Sequence, residues 1–282
     1  MLTGRVLLIA FEGWNDATEG ASGALKAIAE QIGAQTLEAV DPEDYYDFQF
    51  SRPMVEIDDE GNRTISWPGA EFMQADREHI EANPSLDRIY LLIGSEPSRR
   101  WLSFGAEILE MVQDREIEAV IMLGSMLADV PHTRPMPIFK SSQNEAFRTR
   151  FDLEPSTYEG PVGILSILTQ AFEAEGIPVL SLWGSVPHYV HNTSNPKAAL
   201  GFLGELTTLI GINFDTTTLA EQAFEWERSI DDVAEGDEEM TSYVSQLETN
   251  RDQLESEQAS GDALAREFER YLNERKDGAG EG

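Results

Sequence analysis

Three of the four His residues in this chain, His132, His188 and His191, lie in short polar loops with Asn15, Asp16, Glu96, Asp129 and Glu159. These residue types can serve as acids, bases or ligands for a hard metal if the loops converge. Arg99, Arg100 and Arg134 occupy the same loops. An Arg at a strand edge could bind an anion, helped by the N-terminus of the following helix; the alternative is local pairing with Glu96 or Asp129. His188-x-x-His191 has a metal-like spacing, but in a Pro- and Asn-rich loop it is weak support, and no metal is expected. His132 and His188 each follow Val-Pro, and satisfying buried backbone groups is an equally open role for them. Ser95, Ser125 and Ser185 complete the candidate pocket, each in a Gly-Ser pair that lets backbone N–H groups approach a ligand closely. The bland reading is that Gly-Ser and Pro simply make tight turns.

The elements that must position these residues repeat one pattern. Apolar runs at Val6–Phe11, Ile89–Ile93, Ala119–Leu123 and Pro178–Trp183 each precede a polar loop and then a helical pattern. They read as parallel strands whose C-terminal ends share one edge, where open α/β sheets bind ligands. Helices are expected over Asp16–Gly33, Trp101–Arg115, Ser142–Phe151, from Pro161 in a first turn to Glu175, and over Pro196–Gly211. Leu37–Val40 reads as a further strand. Met54–Asp58 and Arg63–Trp67 flank Asp-Asp-Glu-Gly-Asn and read as an inserted hairpin, which departs from a plain Rossmann alternation. The expected architecture is a three-layer α/β/α domain over 1–213 with a mostly parallel sheet. Trp14, Trp67, Trp101 and Trp183 sit at strand ends or helix starts. Core packing is expected of them, with a stacking platform for a ring ligand as the alternative.

Residues 219–282 hold 19 acidic and 6 basic side chains and no strand-like run. Leu219, Ala223, Trp226, Ile230 and Val233, then Met240, Val244, Leu247 and Leu254, then Leu264, Phe268 and Tyr271, form heptad-like stripes that need a partner surface. A C-terminal helical arm over 214–276 is expected, packed on its own domain and partly on a neighbouring subunit, with a disordered tail over 277–282.

The net charge of −32 over 282 residues disfavours nucleic acid and anionic membranes as partners. With no Cys, disulfides and Cys-ligated metal are excluded. No stretch approaches the roughly 20 apolar residues of a membrane helix, and no secretory signal is evident, so a cytoplasmic protein is expected. GxxxxGK[ST], GxGxxG after the first strand, HExxH and GxSxG are all missing, which removes the easy enzyme classes.

GWNDATEG, GSEPSRRW, LADVPHTRP with YEGPVGI (Tyr158–Ile164), and LWGSVPHYV with NPKAAL (Asn195–Leu200) together resemble the proteasome assembly chaperone 2 family, most like its actinobacterial members. The resemblance covers Val6 to Leu209. It implies a phosphorylase/hydrolase-like fold similar to purine nucleoside phosphorylases, and a homo-oligomer, with a trimer among the states expected. Eukaryotic relatives bind proteasome α subunits, and their pairs can use a C-terminal hydrophobic–Tyr–any tail. This chain departs from that pattern: it ends Gly-Ala-Gly-Glu-Gly, and its last Tyr is Tyr271. Some relatives carry a carboxylate–amine ligase label, for which no phosphate-cradling Gly loop is present. Two functions are therefore carried forward. One is a non-catalytic, cofactor-free, protein-binding oligomer with proteasome α subunits as candidate partners. The other is a small-molecule binder or enzyme acting on an anionic or nucleoside-like ligand at the strand-end loops.

Overall fold

Six consecutive apolar residues, Val6–Phe11, have no polar face to give to water, and they form the centre of the sheet, buried on both sides. The structure, a computed structural model, describes residues 1–57, 61–190 and 193–256. In chain order its elements are β1 (Val6–Glu12), α1 (Gly20–Gln31), β2 (Gln35–Ala39), α2 (Pro42–Tyr45), β3 (Met54–Ile57), β4 (Arg63–Ser66), β5 (Ala70–Gln74) and α3 (Arg77–Ala82). There follow β6 (Ile89–Ser95), α4 (Trp101–Asp114), β7 (Ala119–Ala128), β8 (Ile138–Ser141), α5 (Glu145–Phe151) and α6 (Ile164–Ala174). The chain continues with β9 (Val179–Pro187), α7 (Pro196–Ile210), α8 (Thr217–Ala234) and α9 (Glu238–Ser256).

The sheet order is β2-β5-β6-β1-β7-β9-β8. The four apolar runs are its parallel centre, β6-β1-β7-β9. β5 and β8 run antiparallel to their neighbours. Neither is legible in the sequence: Ala-Glu-Phe-Met-Gln and Ile-Phe-Lys-Ser are short and half polar. β7 and β9 run past their expected ends, to Ala128 and Pro187, pairing Ser125 with Gly184 and Met126 with Ser185. Ser125 and Ser185 are thus strand residues rather than loop openings.

On one face Val6, Leu8 and Ala10 pack with Leu25 of α1 and Phe202 of α7. On the other Leu7, Ile9 and Phe11 pack with Phe104 of α4 and Leu168 of α6. This is the expected three-layer arrangement, with β3 and β4 forming a separate two-stranded sheet. Helix starts differ in detail. Pro161 lies before α6 rather than in its first turn, and Asn144 and Asn195 cap α5 and α7 through their side chains. Trp101 and Trp183 pack on the second core cluster, but Trp14 and Trp67 are exposed, contrary to the core role expected of them. Among the described residues no helix is long and apolar enough to cross a membrane.

The C-terminal helices bury Ala223, Trp226 and Ile230 of α8 and Val244 and Leu247 of α9. Val233 departs from its expected stripe and faces solvent, while Ala234 turns inward. The third stripe, Leu264, Phe268 and Tyr271, and the tail over 277–282 lie outside the described residues.

Close packing of β5 on β6 makes one glycine a test of the unforeseen strand. A Cβ on Gly94 would sit 2.1 Å from the Gly69 carbonyl oxygen and 2.5 Å from the Ala70 Cα. Backbone cannot swing aside as a side chain does, so Gly94→Ala is expected to destabilise by about 1–3 kcal/mol. Thermal unfolding checks this; an unchanged midpoint would mean that β5 does not lie against β6 as described.

Candidate functional site

The helix after β1 packs on one face of the sheet and the helix after β6 on the other. Adjacent parallel strands that part in this way open a crevice at their C-terminal ends, the usual ligand site of such sheets. Here Asn15 and Glu96 span it. The Asn15 Nδ2 donates to Glu96 Oε1 at 2.7 Å, and the same oxygen accepts from the Ile164 backbone N–H at 2.8 Å, at the start of α6. Gly163 permits this approach, since a Cβ there would lie 2.1 Å from the Asn15 Oδ1. Ser95 donates to Glu12 at 3.3 Å on the crevice wall.

Asp16 is buried next to this link. Its Oδ1 accepts from the Ala21 N–H at 2.8 Å and from the Ser125 hydroxyl at 2.7 Å, and its Oδ2 accepts from the Ser22 N–H at 2.9 Å. The carboxylate therefore satisfies free donors at the start of α1 and ties them to β7. The turn between is strained: Thr18 and Glu19 have φ of 59° and 54°. Left-handed non-glycine residues of this kind cost of order 1–3 kcal/mol each and persist where the surroundings fix them. Here Asn195 donates to the Thr18 carbonyl, and Ser194 donates to Glu19.

A second group forms where the β7 and β9 loops meet the arm. The Tyr189 phenol accepts from the His132 backbone N–H and gives its own proton to His132 Nδ1, both at 2.8 Å. This leaves Nε2–H to donate to Asp231 Oδ1 at 3.0 Å. A Tyr–His–Asp chain has the connectivity of a nucleophile relay, but burial pushes the Tyr189 phenol well above its ordinary pKa, the opposite of activation. His188 Nδ1 lies 3.7 Å from Asp129, which also accepts from Tyr243. Ser185 is buried beside His132, Arg134 and Trp226 around a cavity of about 10 Å³. That is the room of roughly one water molecule.

Arg134 reaches Glu248 at 3.0 Å and forks onto Asp252 at 2.9 and 3.0 Å. Hydrogen bonding from Arg134 holds the Asp252 carboxyl below its ordinary pKa. A carboxyl depressed in the folded state contributes stability above its unfolded pKa, about 3.9, and loses it as pH falls through the folded value. Protection of α9 amides from hydrogen exchange is therefore expected to hold from pH 7 to 5 and to fall below about pH 4. Arg134→Gln should remove that difference; identical pH profiles in the two proteins would discount the clamp.

Arg99 and Arg100 stand apart, exposed at the start of α4. Arg99 donates to the Glu43 and Asp44 carbonyls, and Arg100 pairs with Asp44 and lies over the Tyr45 ring. Glu159 is exposed on the loop before α6. The structure thus distributes the sequence candidates over separate groups and does not bring Arg99, Arg100 and Arg134 together. His191 lies outside the described residues, and among those described no three His, Cys, Asp or Glu side chains are placed to hold a metal. Tyr189, Asp231, Glu248 and Asp252 escaped notice in the sequence. The i,i+4 spacing of Glu248 and Asp252, suited to chelating one Arg, was the available signal.

A wider cleft of about 960 Å³ opens elsewhere, between α6 and the edge strand β8. Phe139, Val179 and Trp183 line it, with Ser166 and Gln170 of α6.

Comparison with known proteins gives a consistent set. The pattern of the PAC2 family matches residues 10–234. A PAC2 family protein from Streptomyces avermitilis is similar at 39% identity and a TM-score of 0.74, over 85% of this chain and 99% of that one. A proteasome-assembly chaperone homologue from Mycobacterium tuberculosis is similar at 35% identity and a TM-score of 0.74, over the same shares. An archaeal proteasome activator from Pyrococcus furiosus shares the fold at 17% identity and a TM-score of 0.62, over 82% of this chain and 94% of that one. No protein of curated function matches the chain.

Proposed function

The chain belongs to the PAC2 family, and from that premise we propose that it is a non-catalytic, proteasome-related protein-binding module. In this reading it works in the cytoplasm as a homo-oligomer, a trimer being one of the states open to it, with proteasome α subunits as candidate partner. The α/β body over 1–213 would be the scaffold and the helices over 214–276 its arm. The supporting observation is chemical: the crevice where such sheets bind ligands is spanned by Asn15, Glu96 and the start of α6, and Asp16 is occupied by three donors. The 35% identical M. tuberculosis relative, described as a proteasome-assembly chaperone homologue, supports the choice of partner. Affinity capture from a lysate, followed by mass spectrometry, is the test. Recovery of α subunits is expected. Their reproducible absence, with unchanged proteasome assembly in a deletion strain, would overturn the reading.

A second reading, a small-molecule binder, is favoured by the cleft beside β8 alone. Its charged lining residues are Lys140, Glu154 and Glu173, a balance that does not select an anion. A thermal-shift screen with nucleosides, phosphates and amino acids separates the readings. A bound ligand at a hundredfold over its Kd stabilises by about 2.7 kcal/mol.

A further inference from the structure

β9 breaks the pattern of a strand covered on both faces. Such strands are apolar throughout, yet only one face of this one is. Leu180 and Leu182, on the α7 side, are buried, whereas Ser181 and Trp183, on the α6 side, are half-buried. Register places Ser141 of β8 opposite Ser181 and Phe139 opposite Trp183. Directly opposite residues share a face, so the floor of the cleft beside β8 is a pair of aromatic rings next to a pair of hydroxyls. Trp183 takes this place because β7 has no side chain at Gly124, where a Cβ would lie 2.7 to 2.9 Å from three of the ring carbons. The wall is α6, on which Ser166, Gln170 and Glu173 follow one another at helical spacing and share a face. Among the described residues the side chains of Ser141, Ser166, Gln170 and Ser181 have no hydrogen-bond partner in the chain.

Charge and hydrogen-bonding groups select the ligand. Among the described lining residues Lys140 is the only cation, and it belongs to the other face of β8, where it pairs with Glu205 of α7 at 2.8 Å. A phosphate or carboxylate would therefore meet no free cation here, and two carboxylates, Glu154 and Glu173, would repel it. A cationic amine fares little better. Glu173 already accepts from the Val179 N–H at 2.9 Å and from Asn144 at 3.4 Å. Glu154 is exposed, where an ion pair is worth little. What fits is an uncharged molecule with an apolar face and many hydroxyls. A sugar ring has both: its C–H face packs on an aromatic ring while its hydroxyls meet Ser, Gln and Glu side chains around the edge. A nucleobase also stacks, but hydroxyl and amide groups spread over both floor and wall match a ring that carries hydroxyls on every side. The volume of about 960 Å³ lies at the upper end of ligand clefts and has room for more than one ring.

We infer that the cleft between α6 and β8 binds a neutral sugar, with Phe139 and Trp183 under its ring and Ser141, Ser181, Ser166 and Gln170 on its hydroxyls. The inference rests on the small-molecule reading given second above, and the test separates the two. Trp183 supplies the readout. In indole N–H NMR spectra of the full chain, with its signal assigned through Trp183→Phe, maltose and cellobiose should each shift that signal saturably. Adenosine, spermidine and inorganic phosphate should not. Ser166→Ala/Gln170→Ala, which trims two exposed side chains of α6 and leaves its core face intact, should weaken sugar binding about tenfold. Ser141→Ala on the edge strand should weaken it too, which keeps the test decisive if the double variant fails to fold. A tighter saturable shift with adenosine, spermidine or phosphate than with either sugar overturns the sugar and keeps the small-molecule reading. A Trp183 signal that moves with none of these compounds overturns both. Sugar affinity unchanged in the folded variants overturns the assignment of the sugar to this cleft.

Discussion

Replacing Asp16 with Ala is expected to lower stability by about 3–5 kcal/mol. Three donors converge on its carboxylate, two of them backbone N–H groups at the start of α1 and one the Ser125 hydroxyl. Each buried donor left unsatisfied costs roughly 1–3 kcal/mol. The left-handed turn at Thr18 and Glu19 also loses one of its anchors. For a domain of this size, 1 kcal/mol moves the melting temperature by about 2–4 °C, so a fall of roughly 10 °C is expected. Asp16→Asn, which keeps one oxygen acceptor, should lose less than half of that. If the Asp16→Ala protein melted within about 2 °C of the parent, the carboxylate would not be a structural clamp, and Asp16 would return to the candidate acids.

Ending the chain after Asp215 has the other large expected effect. α8 and α9 bury Trp226, Ile230, Val244 and Leu247, at roughly 1.5–3 kcal/mol for each large side chain, before the entropy of ordering the helices is subtracted. Without them His132 loses Asp231, Arg134 loses Glu248 and Asp252, and Lys197 loses Glu227. The melting temperature of the remaining α/β body should fall by on the order of 10 °C. Trp226→Ala alone, which leaves the helices in place, should account for about 3–5 kcal/mol. Differential scanning calorimetry on the truncated and substituted proteins decides this. A truncated body with the parent's melting temperature would make the arm an independent appendage, and its buried stripes would then need another explanation.

Much of the architecture is written locally. Val6–Phe11, Ile89–Ile93 and Ala119–Leu123 are continuous apolar runs, which two covered faces of a parallel sheet require, and they are the parallel centre of the sheet. The turn sequence after Met54–Ile57 marked the hairpin, because turn chemistry is local too. β5 and β8 had no such signal. Their half-polar pentad and tetrad become strands because β6 and β9 present unpaired edges for them, a property of neighbours far along the chain.

The candidate site divides along the same line. Residue type and loop position singled out Asn15, Asp16, Glu96, His132 and Arg134 as groups able to do chemistry. What each of them meets was not local. Asn15 meets Glu96 across 81 residues, His132 meets Asp231 across 99, and Arg134 meets Asp252 across 118. In a chain with 52 acidic side chains, composition offers dozens of equivalent partners for one Arg. The sequence by itself determined the parallel central strands, the hairpin, the helical periodicity and the edge at which the polar loops gather, since hydrophobic period and turn preference act over a few residues. Only the tertiary structure decided which acids, phenols and amides close on those loops, because hydrogen bonds and ion pairs depend on distances that the packing of remote elements sets.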